Sequence, residues 1–250
     1  MADRIPHAIK NLTKLAEYDE LFRAVKNKQS AAVFGVDNQK AYFSLLLAAQ
    51  TGKKVFIVVP DDNTARTVHE IMQYGGRSYV YPARDYSFRD IESVSRFEEN
   101  RRIEALSAVR RGEFESLVIT ADALSMPLMC PDEYKEIMLR SGDEIDFEGL
   151  PEKLISMGYE FFSAVEGHGQ FSVRGGIVDI FPPDSEVPYR IEFFGDEIDT
   201  VSIFDINTQR RTEPVDQIRL IPAKEYTTEI CDYLIKNLHS TATMHRWQKI

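Results

Sequence analysis

Only two cysteines, Cys130 and Cys231, occur in 250 residues, and neither has a partner at the spacing of a metal knuckle or redox motif. That scarcity excludes a disulfide framework and a cysteine-rich metal site, and it points to a reducing compartment. No run of about 18 or more apolar residues occurs, so the sequence offers no membrane-spanning helix. The first residues, Met1 to Leu12, have neither an apolar signal core nor a cleavage site, and the chain reads as cytoplasmic. Basic charge is short as well: 30 Lys and Arg against 40 Asp and Glu leave a formal net charge of −10. Phosphate contacts supply most non-specific affinity for nucleic acid, so this acidity disfavours DNA as the main partner of the segment. There is no internal repeat and no low-complexity tract. What is present is the composition of a soluble globular chain, 43% hydrophobic and 28% charged, enough for one large core or two smaller ones.

The first half alternates strand and helix signals. Residues 7–27 place Ile9, Leu12, Leu15, Leu21, Phe22 and Val25 at helical spacing. Ala31 to Val36 is a short apolar run that predicts a buried strand. A helix bearing Tyr42, Leu45, Leu46 and Ala49 follows and ends near Gly52. Lys54–Val59, Ser78–Tyr81 and Ser116–Thr120 read as further strands. The helices between them start near Asp62 and Val94. Four such alternations predict a mostly parallel sheet covered by helices.

In a domain of this kind the first strand-to-helix turn is where a nucleotide would sit. A phosphate loop needs glycines for close approach, a lysine for the β/γ-phosphates and a hydroxyl for magnesium. Here the turn runs Gly35-Val36-Asp37-Asn38-Gln39-Lys40-Ala41-Tyr42. Lys40 stands where the second glycine belongs, Ala41 where the lysine belongs and Tyr42 where the hydroxyl belongs. Asp37 adds negative charge where phosphates would lie. A shifted register would let Lys40 reach an anion, but ATP hydrolysis by this segment is not expected.

Other candidates have bland readings. His168 lies in a Gly-flanked turn without a second His or Cys, as a surface histidine. Asp184, Glu186, Asp196, Glu197 and Asp199 fall in turns, as solvated carboxylates. Arg96, Arg101, Arg102, Arg110 and Arg111 make the 94–111 helix locally basic, and Glu98, Glu99 and Glu104 offset them as a salt-bridged surface.

A composition change after Pro127 and Pro131 opens a second unit. Its sequence predicts a strand over Tyr134–Leu139, a short helix over 149–157 capped by Gly158, and a strand over Tyr159–Val165. From Gly169 to Glu225 it becomes a run of short antiparallel strands. Phe171 and Val173 alternate with Ser172 and Arg174, Gly175-Gly176 allows a bulge or bend, and Ile177–Phe181 reads as a mostly buried strand. In the next strand Tyr189, Ile191 and Phe193 share one face, Arg190, Glu192 and Phe194 the other. An aromatic ring on a charged face is an anomaly. If the strands bearing them pair, Arg174, Arg190 and Phe194 form one exposed patch of the residue types that concentrate binding energy. The other reading is a solvated face with Phe194 covered by a loop.

The stretches GQFSVRGGIVDIFPP (169–183), VPYRIEFFGDEIDTVSIFDINTQR (187–210) and IRLIPAKE (218–225) together resemble the N-terminal region of bacterial transcription-repair coupling factors. The excision-repair helicase UvrB shares a weaker form of the module. The resemblance is strongest over 169–225 and mainly architectural over 1–75. It implies an α/β fold with a degenerate P-loop-type, helicase-like sheet domain over 1–128. It also implies a smaller α+β domain with antiparallel strands over 129–225, and the start of a further helical segment over 226–250. In the family this second domain docks onto UvrA, the damage-recognition ATPase. The family's contact arginines and phenylalanine match Arg174, Arg190 and Phe194. No cofactor is implied for this segment. ATP and magnesium, RNA polymerase and double-stranded DNA would belong to C-terminal parts of a longer translocase, against which this module is held until polymerase is engaged. A divergent UvrB-type helicase fragment that retains ATP or damaged-DNA binding is the alternative. An intramolecular brake without an external partner is a third.

Overall fold

The computed structural model describes residues 5–35, 39–84, 92–126 and 135–225, without the side chains of 92–96. Its contacts divide the chain into two units, 1–127 and 128–250.

The first unit begins with α1 (His7–Lys10), a 3-10 turn (Asn11–Lys14) and α2 (Ala16–Lys26). One continuous helix over 7–27 is therefore not formed. The Thr13 hydroxyl bonds back to the Lys10 carbonyl at 2.7 Å, and Leu15 is extended, which breaks the ladder there. Of the strand expected over 31–36, the described residues 31–35 form none: 31–34 are exposed coil with Phe34 in solvent, and Val36 lies outside the described residues. An apolar run becomes a strand only where a neighbour pairs with it.

The sheet has three parallel strands, β1 (Val55–Val59), β2 (Ser78–Tyr81) and β3 (Ser116–Thr120), in the order β1-β3-β2. Helix α3 (Lys40–Thr51) precedes β1, α4 (Asp62–Met72) lies between β1 and β2, α5 (Glu92–Arg111) lies between β2 and β3, and the short α6 (Ala121–Ser125) follows β3. Their ends follow local chemistry. Gly52 closes α3 in the left-handed conformation, and the Asp61 carboxylate accepts the Thr64 amide at the start of α4. Tyr81, Leu117 and Phe114 pack under Ala105 and Ala108 of α5. On β1, by contrast, Phe56 and Val58 stay exposed.

The second unit is built on a six-stranded sheet. Its strands are β5 (Glu160–Phe161), β6 (Gln170–Arg174), β7 (Ile177–Ile180), β8 (Tyr189–Phe194), β9 (Glu197–Phe204) and β10 (Arg211–Pro214), following one another in space as in sequence. All neighbours are antiparallel except β5 and β6. The strand expected over 159–165 shrinks to β5, because Tyr159 turns into the core and its hydroxyl donates to the Ile221 carbonyl at 2.8 Å. A separate ribbon pairs β4 (Ile137–Arg140) with β11 (Gln217–Leu220). Together with α7 (Leu150–Ser156) the ribbon covers one sheet face. Phe171, Val178, Ile180, Ile191, Ile198 and Val201 point into that core beside Leu139, Leu154 and Leu220. Each such side chain contributes about 1.5–3 kcal/mol by leaving water. The opposite face is free of α7 and carries the candidate site.

Candidate functional site

Two tight turns set the register of this face. Arg174 of β6 lies opposite Ile177 of β7, so Gly175-Gly176 makes a two-residue hairpin loop with Gly175 at φ 58. A Cβ on Gly176 would stand 2.8 Å from the Phe193 carbonyl oxygen, so only glycine allows β8 to close in here. Register then places Ser172, Asp179, Arg190 and Ser202 in one row across β6, β7, β8 and β9. The strands bearing Arg174 and Arg190 do not pair with each other. β7 lies between them and supplies Asp179.

Asp179 is fully buried, with a side chain 0% exposed, between two arginines. Arg190 grips it side-on: Nε donates to Oδ1 at 2.6 Å and Nη2 to Oδ2 at 2.8 Å. The same Oδ2 accepts Nη2 of Arg174 from the other side. This bidentate, charge-assisted bond holds the Arg190 guanidinium charged further above its ordinary range, against the opposing effect of burial. A buried carboxylate without such partners would be very costly, which is why the row is occupied on both sides.

A turn from the other end of the sheet locks the pair. Asp205 accepts the Thr208 amide on its carboxylate at 2.7 Å, which lowers its pKa, and the Gln209 amide on its carbonyl at 2.8 Å. Gln209 adopts φ 57, unusual for a residue with a side chain. In this pose its carbonyl accepts Nη1 of Arg190 at 3.1 Å, and its side-chain oxygen lies 3.5 Å from Nη2 of Arg174. Its amide nitrogen donates to the Ile206 carbonyl at 2.8 Å. Below, the Phe204 ring lies 5.1 Å from the Arg190 guanidinium carbon and packs with Val165 and Phe181.

The three residues singled out in the sequence thus lie on one face, but with different access. Phe194 is 83% exposed. The Arg174 side chain is 46% exposed, and its Nε and Nη1 have no hydrogen-bond partner among the described residues. Arg190 is only 12% exposed, with Nε, Nη1 and Nη2 all engaged inside the domain. Between Arg190 and Phe194, Glu192 pairs with Arg211 at 3.1 Å. Sequence reasoning missed Asp179 and Gln209. An acidic residue in the middle of an apolar strand was the available signal for the first. Nothing local marks the second.

The other candidates do not assemble into chemistry. Of the Gly35, Lys40, Ala41 and Tyr42 loop, residues 36–38 lie outside the described residues. No strand leads into Gly35, and Lys40 opens α3. His168 is on the surface, stacked at 4.0 Å on Phe181. Asp184 is not a solvated loop carboxylate, since its side chain is nearly buried 3.6 Å from Arg219. Arg102 is not a surface residue. It faces inward from α5, donates to the Tyr81 hydroxyl and the Pro82 carbonyl, and lies 4.0 Å from the Tyr81 ring centroid. Cys130 and Cys231 lie outside the described residues. Among the described residues no cluster of His, Cys, Asp and Glu could hold a metal ion, and no helix is long and apolar enough to cross a membrane.

Comparison with known proteins places this geometry. Residues 137–226, the part that carries the arginine pair, match the UvrB interaction domain. The chain is 29% identical to the transcription-repair-coupling factor of Escherichia coli K12 over 188 residues, 73% of this chain and 16% of that protein. It is 29% identical to the Staphylococcus epidermidis RP62A factor over 246 residues, 96% of this chain and 20% of that protein. With the Staphylococcus aureus USA300 factor it shares 34% over 164 residues, 64% of this chain and 14% of that protein. The chain therefore spans a fifth or less of the length of these relatives.

Proposed function

For a chain whose residues 137–226 form a UvrB interaction domain and whose relatives are transcription-repair-coupling factors, we propose that the second unit recruits UvrA through the face bearing Arg174, Arg190 and Phe194. One observation carries the reading: a phenylalanine stands almost wholly in water on the same sheet face as a half-exposed arginine, within that domain. Exposed aromatic and arginine side chains are the usual anchors of protein interfaces, and they are most effective on preorganised elements.

The rest of the proposal concerns a longer protein. There this segment would be the non-catalytic recruiting and regulatory module of an ATP-dependent DNA translocase. Further parts would engage RNA polymerase stalled at damage and double-stranded DNA, and would hold the patch in check until needed. ATP and magnesium would act in that motor and not here, because the Gly35–Tyr42 turn lacks the lysine, hydroxyl and second glycine of a phosphate loop.

Calorimetric titration of UvrA with the whole chain tests the central claim. We expect saturable binding that Phe194→Ala weakens by about 2 kcal/mol or more while the unfolding midpoint stays put. Unchanged affinity in a folded Phe194→Ala variant would move the interface elsewhere.

A further inference from the structure

The geometry points to a division of labour within this face, resting on the UvrA-recruiting reading above: Arg174 receives a carboxylate of the partner, while Asp179 and Arg190 serve as positioning residues that aim it. Three observations lead there. First, all three guanidinium nitrogens of Arg190 are engaged. Two go to Asp179 and one to the Gln209 carbonyl, and little of the side chain reaches solvent. Second, Arg174 is anchored at one end only. Its Nη2 is held by the Asp179 carboxylate with the Gln209 side chain nearby, while Nε and Nη1 have no partner among the described residues. Either nitrogen can give a charge-assisted hydrogen bond to a carboxylate oxygen while Nη2 keeps its anchor.

Third, charge is left over. Two arginines surround one buried carboxylate, +2 and −1, so the cluster carries one net positive charge, and the exposed part of it is Arg174. Neighbouring Glu192 is already matched by Arg211. In a chain of net charge −10, one fixed cation on the same face as an exposed ring is complementary to a partner surface that offers an acidic side chain and an apolar pocket.

Positioning and simple attraction predict opposite signs for one substitution. Asp179→Asn removes negative charge from beneath a positive patch, and by Coulomb attraction alone it should strengthen binding of an acidic partner. If Asp179 aims Arg174, the same change should weaken it, because Arg174 loses its anchor. Affinity for UvrA, its salt dependence and the NMR signals of the guanidinium Nη protons should be measured together on the whole chain. We expect Asp179→Asn to bind about tenfold or more weakly. The slowly rotating, separately resolved Nη signals of Arg174 and Arg190 should merge in that variant, while the salt dependence persists because both cations remain. Arg174→Lys keeps the charge at a half-exposed position where folding is not at stake, and it should also lose affinity because one ammonium nitrogen replaces the separate nitrogens that hold Asp179 and face the partner.

Asp179→Asn binding as tightly as or more tightly than the parent, with its fold intact, would overturn the proposal. If that variant fails to fold, Arg174→Lys decides alone, and affinity within about twofold of the parent refutes it. Should the parent not bind UvrA at all, the recruiting reading fails. The Nη signals then still decide whether Asp179 fixes both arginines.

Discussion

The arginines look interchangeable on a sequence map, and the structure separates them by their effect on folding. Consider Arg190→Ala. The change removes both hydrogen bonds on the Asp179 carboxylate that run from β8, the one to the Gln209 carbonyl, and the contact with the Phe204 ring. Asp179 stays fully buried, with Arg174 as its remaining partner among the described residues, and that side chain is half in solvent. Removing one partner of a buried pair costs about 3–5 kcal/mol, because the other charge is left uncompensated. Arg174 covers part of that loss, so about 2–4 kcal/mol is expected. Arg174→Ala leaves the bidentate grip of Arg190 intact and should cost about 1 kcal/mol or less. Phe194→Ala should stay within about 0.5 kcal/mol. Urea unfolding followed by far-UV circular dichroism, with amide exchange at Val178 and Asp179 to report on the second unit, orders the three. Equal destabilisation of Arg190→Ala and Arg174→Ala, or a loss below about 1 kcal/mol for Arg190→Ala, would show that Asp179 does not depend on this grip.

Further outcomes follow from other parts of the chain. Gly176→Ala should lower stability by about 1–3 kcal/mol, because its Cβ meets the Phe193 carbonyl at 2.8 Å, whereas Gly175→Asn should be tolerated in its left-handed pose with open space around it; unfolding midpoints of the two variants check the contrast. Tyr18 is buried and donates to Gln50, and burial followed by Asp19 pushes its pKa from 10.0 to about 12. Its folded pKa is the raised one, so its contribution is complete below pH 10 and is lost as the pH rises through about 12. An alkaline titration of tyrosinate absorbance, read as the difference between the parent and Tyr18→Phe, should place this group's transition in that window, and a difference transition near pH 10 would contradict it. A fluorescent ATP analogue should show no saturable, magnesium-dependent binding to the chain. Turnover that survives purification and is lost on Lys40→Ala would refute this.

Much of the second unit was legible because sheet alternation is local. Tyr189, Ile191 and Phe193 against Arg190, Glu192 and Phe194 can be assigned from period two alone, and Ile191 is indeed in the core. Which strands neighbour one another is not local. Placing Arg174 directly beside Arg190 skipped the strand between them, and with it the carboxylate that organises both. Gln209 was out of reach for another reason: its left-handed backbone is imposed by the Asp205 turn and the arginines, and a non-glycine residue gives no sign of it. In the first unit, Ala31–Phe34 has strand composition without a strand, since composition records a preference and pairing needs a partner. Arg102 misled in the opposite way. A charge on an amphipathic helix normally faces water, and this one turns inward onto Tyr81.

The middle-strand position of Asp179 also constrains how this surface can change over generations. Arg174 can drift first, because its loss leaves Asp179 matched by Arg190. Arg190 cannot go while Asp179 remains, since the intermediate would carry a buried carboxylate with one half-exposed partner. Asp179 cannot go early either, because two guanidinium groups would then face each other across β7 without an anion between them. Single steps are open at the rim and closed at the centre. Lineages that keep the domain but change its partner should therefore vary at positions 174 and 194 while 179 and 190 are inherited together or replaced together.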